Sequence, residues 1–291
     1  MQDFEYVAPN NLKDAVGLMA EKGDKAKALA GGTDVLVQLR GGRFQIERLV
    51  DVKNVPEMNE LSFSETDGLT LGAAVPCYRV YEDELIRKRY PILVDSSTLI
   101  GGTQIQGRAG LGGNLFNSSP SADGIPSLIA LGAQAVVAGP NGQRTIPVDE
   151  FCTAPGRNSV QPGELLVSIK FPAPPANSGA RFLRFIPRNE MDIAVVNCAA
   201  SVVLDDSKKT IQSARIALGA VAPTPVLAKE AGNLLAGKEA NEASILEAAE
   251  AAKSSASPIG DMRGTIKQRV HLVGILTKRA LQTAISRARE G

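Results

Sequence analysis

The stretch "GRAGLGGNLFNSSPSADGIP", residues 107–126, places glycines, small hydroxyls and amides around one acid, Asp123, and then runs into the apolar "SLIALGAQAVVAG". So much backbone freedom beside a buried segment predicts a loop shaped to approach a ligand, because glycine reaches positive φ and leaves main-chain N–H groups uncovered. Within it, "AGLGGNL" brings Gly110, Gly112 and Gly113 together ahead of Asn114. A second stretch of the same kind lies some eighty residues earlier: "AGGTDVL", Ala30 to Leu36, with Thr33 as the expected N-cap of a brief helix "DVLVQLR". A helix N-terminus opened by glycines is how a protein holds phosphate without lysine. Either loop alone reads as a turn; two in one domain suit a diphosphate gripped from both sides.

The competing phosphate and nucleophile motifs are missing. No GxGxxG follows a strand, no GxxxxGK[ST] occurs, and no GxSxG elbow occurs. The single histidine, His271, sits in a helical segment and reads as a structural or surface residue. Few acid–base groups are on offer, so a bound cofactor would carry the chemistry.

Composition narrows the class further. The 291 residues suit two ordinary domains, and 44% hydrophobic with 22% charged residues is the make-up of a folded globular chain. A net charge of +1, 4% aromatic residues and no Trp give neither the electrostatic footprint nor the stacking surface for nucleic acid. Cys77, Cys152 and Cys198 are widely separated, which fits neither a disulfide framework nor a zinc or iron–sulfur site, so a reducing cytoplasm is the expected setting. The opening "MQDFEYVAPNNLKDAV" is polar and acidic, so no signal peptide is expected there, and no apolar run is long enough for membrane insertion.

Along the chain, "LKDAVGLMAEKG" has helical spacing and stops at Gly23, "RLVDV" reads as a strand, and "FSETDGLTLGAAV" reads as a hairpin. A helical stretch, "RVYEDELIRKRYPILVDSSTLI", follows. The dense "PAPPANSG", residues 172–179, marks the expected domain boundary. Beyond it come three strands and three helices, with Pro187 expected at a strand edge or bulge.

Taken together, "LAGGTDVLVQLR" and "GLGGNLFNSSPSADGIPSLIALGA" resemble the FAD-binding medium subunit of the molybdenum hydroxylases, the group of carbon monoxide and xanthine dehydrogenases. The resemblance extends through "FEYVAPNNLKDAVGLM", "PGELLVSIKFP", "RNEMDIAVVNCAASVVL", "ARIALGAVAPTPVLA" and "DMRGTIKQRVHLVGILTKRAL". It implies an α+β fold: a vanillyl-alcohol-oxidase-like (PCMH-type) FAD-binding domain at 1–175, with subdomains of about 1–57 and 58–175, and a C-terminal α+β domain of three strands and three helices at 176–291.

By that resemblance, Leu29, Ala30, Gly31, Gly32, Thr33, Asp34, Val35 and Leu36, with Gly110, Leu111, Gly112, Gly113 and Asn114, contact the FAD pyrophosphate. Asp123 touches the sugar-like part of FAD, Ile100 and Leu166 line the flavin pocket, and Arg184 lies near the flavin. Read without the family, Ile100 and Leu166 are ordinary core residues, Arg188 and Asp192 a surface ion pair, and Ser118, Ser119 and Ser121 turn formers. Gly110 stands where relatives commonly carry Thr or Ser, and Gly110→Thr is expected to be tolerated or to tighten FAD binding. No His stands in "AGGTD", so the FAD is expected to be non-covalent.

The function implied is that of a subunit of an oxidoreductase complex, with no catalytic residue of its own and no metal. It would take electrons from [2Fe-2S] clusters in an iron–sulfur small subunit, while a large subunit bearing the molybdenum cofactor oxidises the substrate. The assembly expected is a dimer of heterotrimers, passing electrons to NAD, a quinone or oxygen. Two other readings are a self-sufficient FAD-dependent oxidoreductase and a scaffold that has lost its cofactor.

Overall fold

The computed structural model describes residues 2–290. The chain opens with a small parallel sheet whose central strand is Arg48–Asp51, flanked by Glu5–Val7 and Ala26–Leu29. Helix Leu12–Lys22 crosses between the flanking strands. Asn11 caps its first turn by accepting from the Asp14 amide at 2.9 Å, and Gly23 ends it at φ 53°.

A five-stranded antiparallel sheet follows, in the order Leu61–Ser64, Gly68–Gly72, Leu165–Phe171, Gln134–Gly139, Gly142–Pro147. "LLVSIKF" occupies the centre because all of its residues but Lys170 are buried. Helix Leu111–Asn117 packs against the central strand of this sheet, and helix Gly124–Ala130, every residue of which is buried, packs on the strands that follow residue 178. The stretch 79–100, which reads as one helix, is in fact broken. Three short helices, Cys77–Glu82, Glu84–Arg89 and Pro91–Ser97, replace it. Asp83 caps the second by accepting from the Ile86 amide at 2.9 Å, and Pro91 forces Tyr90 out of the helical region.

Ser178–Phe185, Val196–Leu204 and Ile211–Gly219 form an antiparallel meander, joined by the two-residue strand Val226–Leu227. Phe182, Ala199 and Ala217 face the core beneath the five-stranded sheet, while Cys198, Ala200, Ile216 and Leu218 face helices Lys229–Asn233, Glu242–Ala252 and Ile266–Glu290. The meander is therefore covered on both sides. Gly179 lets the long helix close in, since a Cβ there would sit 2.2 Å from the Ala284 carbonyl oxygen. Pro187 lies outside the strand, which ends at Phe185, so it forms neither edge nor bulge.

Polar bonds fasten this layer to the rest. Ser201 Oγ and Arg215 Nε donate to the last carbonyls of helix Gly124–Ala130, at Ala130 (2.6 Å) and Ile129 (3.0 Å). Asp95 accepts from Arg287 at 2.7 and 3.0 Å and from Arg181 at 2.6 Å. No helix among the described residues is long and apolar enough to cross a membrane.

Candidate FAD site

The two glycine loops meet. Arg108 Nε donates to the Gly31 carbonyl at 2.9 Å, and a Cβ on Gly31 would lie 2.1 Å from the Arg108 carbonyl oxygen. Only glycine permits that approach. Gly32 holds φ 80° and turns the chain into helix Val35–Arg40. Asp34, not Thr33, takes the N-cap position, and its side chain caps nothing.

On the other side Gly110 and Gly112 serve packing as well: a Cβ on either would sit 2.4 Å from the carbonyl oxygen of Val75 or Ala73. Gly113 differs. It is exposed, and nothing lies within 4 Å of where its Cβ would project. The glycines thus divide into those that let backbone pack on backbone and one that leaves space for a ligand.

Between the loops lies a cleft of about 700 Å³, the size of a site for a large organic ligand. Ala30, Gly31, Gly32, Thr33, Asp34 and Val35 line it from one wall; Gly110, Gly112, Gly113 and Asn114 line it from the other, with Ile100 and Leu166 at its side. Among the described residues, the amides of Thr33, Asp34 and Val35, and those of Leu111, Gly112 and Gly113, have no acceptor within the chain. Unpaired main-chain donors at both walls are what a diphosphate takes. Asn114 Oδ1 accepts from the Gly124 amide at 3.0 Å, which ties this wall to the helix behind it.

Five of the expected residues do not line the cleft. Leu29 is buried with Leu39, Ile46 and Leu49, Leu36 packs against that cluster, and Leu111 is wholly inside the main core, so these loops turn their leucines away from the cleft. Asp123 and Arg184 lie behind the cleft, not on its lining, and pair with each other at 2.5 Å; their side chains are only 10% and 6% exposed. Asn197 Nδ2 also donates to Asp123 at 3.3 Å. Burial pushes the Asp123 carboxyl up, opposed by Arg184 and Asn197.

Several lining residues carry no sequence signal. Gln38 Nε2 donates to Asn117 Oδ1 at 3.1 Å, a bond from helix Val35–Arg40 to helix Leu111–Asn117 across the cleft. Phe116 is 38% exposed at the cleft, with its carbonyl held by Asn158 Nδ2 at 2.7 Å. The hairpin of strands Cys152–Ala154 and Arg157–Asn158 supplies Thr153, Arg157 and, from its turn, Gly156. The thiols are structural: burial pushes Cys77 and Cys198 up to about 12. An elongated cofactor with a central diphosphate fits this cleft, and Gly113 leaves it room.

Comparison with known proteins agrees with the cleft's chemistry. Residues 2–174 match the FAD binding domain in molybdopterin dehydrogenase, and residues 181–284 match the CO dehydrogenase flavoprotein C-terminal domain. The chain is 31% identical to the xanthine dehydrogenase FAD-binding subunit of Escherichia coli O157:H7, covering 99% of this chain and 98% of that one. It is 32% identical to the carbon monoxide dehydrogenase medium chain of Hydrogenophaga pseudoflava, covering 98% of each. It superposes on reconstituted CO dehydrogenase from Oligotropha carboxidovorans with a TM-score of 0.93, at 28% identity over 98% of this chain and 99% of that one. The chain is an oxidoreductase subunit that belongs to the FAD-binding medium subunits of the molybdenum hydroxylase family.

Proposed function

We propose that this chain is the electron-transfer flavoprotein subunit of a cytoplasmic molybdenum hydroxylase complex. A small subunit carrying [2Fe-2S] clusters supplies its electrons, a large subunit carrying the molybdenum cofactor oxidises the substrate, and an external acceptor receives the electrons. The relatives named as xanthine and carbon monoxide dehydrogenase components support this role. A dimer of heterotrimers is the assembly proposed, with residues 1–175 as the FAD-binding domain and 176–291 as the C-terminal domain.

The observation that carries the reading is the meeting of Gly31 with Arg108, which sets two rows of unpaired amides around one cleft. FAD, when bound, exchanges electrons singly or in pairs. The chain's own residues do the rest: the amides after Gly32 and Gly110 hold the diphosphate, Gly113 leaves it space, and Phe116, Ile100 and Leu166 give the cleft apolar walls. Asp123 and Arg184 act from behind, as a buried pair that fixes helix Gly124–Ala130 against the meander.

Purifying the tagged chain from its own cells tests the role. Recovery with a molybdenum-bearing and an iron–sulfur polypeptide is expected. Robust substrate oxidation by the single chain would overturn it in favour of a self-sufficient oxidoreductase.

A further inference from the structure

Three large apolar side chains stand out in water on one short stretch: Ile259 is 74% exposed, Met262 93% and Ile266 55%. One apolar side chain on a surface is ordinary, but several gathered together make a patch that calls for a partner. The stretch leads into helix Ile266–Glu290 and folds back over its start, since Ile266 Cγ1 lies 3.8 Å from where a Cβ of Gly260 would stand.

The turn that carries Met262 is held firmly. Arg269, only 4% exposed, donates through Nη1 to the carbonyls of Val195 (2.6 Å) and Ala220 (3.0 Å) and through Nη2 to Asp261 Oδ1 at 2.7 Å. Asp261 Oδ1 also accepts from the Arg263 amide at 2.9 Å and the Gly264 amide at 3.2 Å. Just upstream, the Ser257 amide donates to the Val221 carbonyl at 2.8 Å. A buried guanidinium thus fixes a turn whose tip is apolar and fully in water. A turn already ordered binds without the entropy cost of ordering it.

Val195 links this turn to the cleft. A Cβ on Gly264 would lie 3.1 Å from Val195 Cγ1, so the turn packs on the chain that enters strand Val196–Leu204. Along that chain Ile193 and Met191 are both exposed, and Met191 is held at φ 51°, a strained setting for a residue with a side chain. Met191 Cγ and Sδ lie 3.2 and 3.3 Å from where a Cβ of Gly102 would stand. Gly101, beside it, and Ile105 line the cleft. One line of exposed apolar groups therefore runs from the turn to the cleft's rim.

We propose that Ile259, Met262 and Ile266, continued by Ile193 and Met191, form the docking surface for the iron–sulfur polypeptide, an assignment that rests on the electron-transfer role given above. The surface ends at the cleft assigned to FAD, and an electron donor must lie beside its acceptor because transfer weakens steeply with distance. Its rim carries Arg188, Arg263 and Lys267 against Glu190 and Asp192, a surplus of positive charge. That surplus suits a partner bearing a [2Fe-2S] cluster, whose thiolate ligands leave it negative. The apolar centre excludes water, and the charged edge orients the partner.

The test uses the whole complex, purified through a tag on this chain. Met262→p-benzoylphenylalanine is irradiated in the complex, and the covalent product is identified by mass spectrometry. The product expected joins this chain to the iron–sulfur polypeptide. A product with the molybdenum-bearing polypeptide or with a second copy of this chain would overturn the assignment, as would no product from an intact complex. Met262→Asp and Ile259→Asp change exposed positions, so the isolated chain is expected to melt as the wild type does while capture of the iron–sulfur polypeptide weakens about tenfold. Met262→Leu is expected to keep that capture. Aspartate variants that hold the polypeptide as the wild type does would also overturn the surface. A wild-type chain recovered with no iron–sulfur polypeptide would instead overturn the electron-transfer role itself.

Discussion

Arg108 and Gly31 are joined by a 2.9 Å hydrogen bond between the guanidinium Nε of one and the carbonyl of the other. They are 77 positions apart, and the bond closes the two glycine loops into a single wall. Gly31→Ala tests that closure, because its Cβ would meet the Arg108 carbonyl oxygen at 2.1 Å. The loops must then part, at a cost of about 1–3 kcal/mol. Lower denaturant stability together with lost flavin is the expected outcome, measured by urea unfolding and by visible absorbance of the purified protein.

Gly110→Thr is predicted to be harmful, against the expectation drawn from the family pattern. The backbone at Gly110 is ordinary extended chain, which any residue adopts, but a Cβ would sit 2.4 Å from the Val75 carbonyl oxygen. Threonine must push strand end and loop apart. A melting temperature lowered by several degrees checks this, corresponding to about 1–3 kcal/mol of overpacking.

Asp95 is the hub between the C-terminal helix and the rest of the chain. Asp95→Ala leaves Arg287 and Arg181 facing each other without their shared carboxylate. Both arginines keep some solvent, which lowers the cost to about 2 kcal/mol. Chemical unfolding should show that loss, with flavin content per folded protein unchanged.

Asp205 gives a pH dependence with a definite sign. The Thr210 amide, the Ser207 hydroxyl and the Lys209 amide all donate to its carboxylate and hold it down at about 2. A depressed native value means the stabilisation is complete above the unfolded value of about 3.9 and is lost as pH falls from there towards about 2. Melting temperature plotted against pH over that window should fall less steeply for Asp205→Asn than for the wild type.

The parts legible from sequence were those written in local chemistry. Gly23 as a helix stop and the glycine pairs follow from one residue's conformational range, and the "RLVDV" strand from its short local pattern. "DIAVVNCAASVVL" was readable as a strand but not as one covered on both faces, because its unbroken apolar run is explained only by the helices packed on its far side.

What stayed hidden is tertiary. Asp123 and Arg184 are 61 positions apart, and nothing local says that they pair with each other. Gln38, Asn117 and Arg157 are ordinary polar residues until folding sets them around one cleft. Of the glycines, the family pattern sets Gly110 apart from Gly112 and Gly113, but only their neighbours, Val75 and Ala73 for two and open space for the third, tell packing from binding.

That distinction supplies the most direct test of the central claim, that FAD lies between the two loops. Gly113→Val adds a side chain whose Cβ would meet nothing within 4 Å beyond its chain neighbours and its own helix backbone, so the fold should be little affected and only the ligand's space taken. FAD titrated into both proteins, with melting temperature alongside, is the measurement. The account predicts equal melting without ligand, one FAD per chain for the wild type and none retained by Gly113→Val. Equal FAD content in both proteins would contradict it.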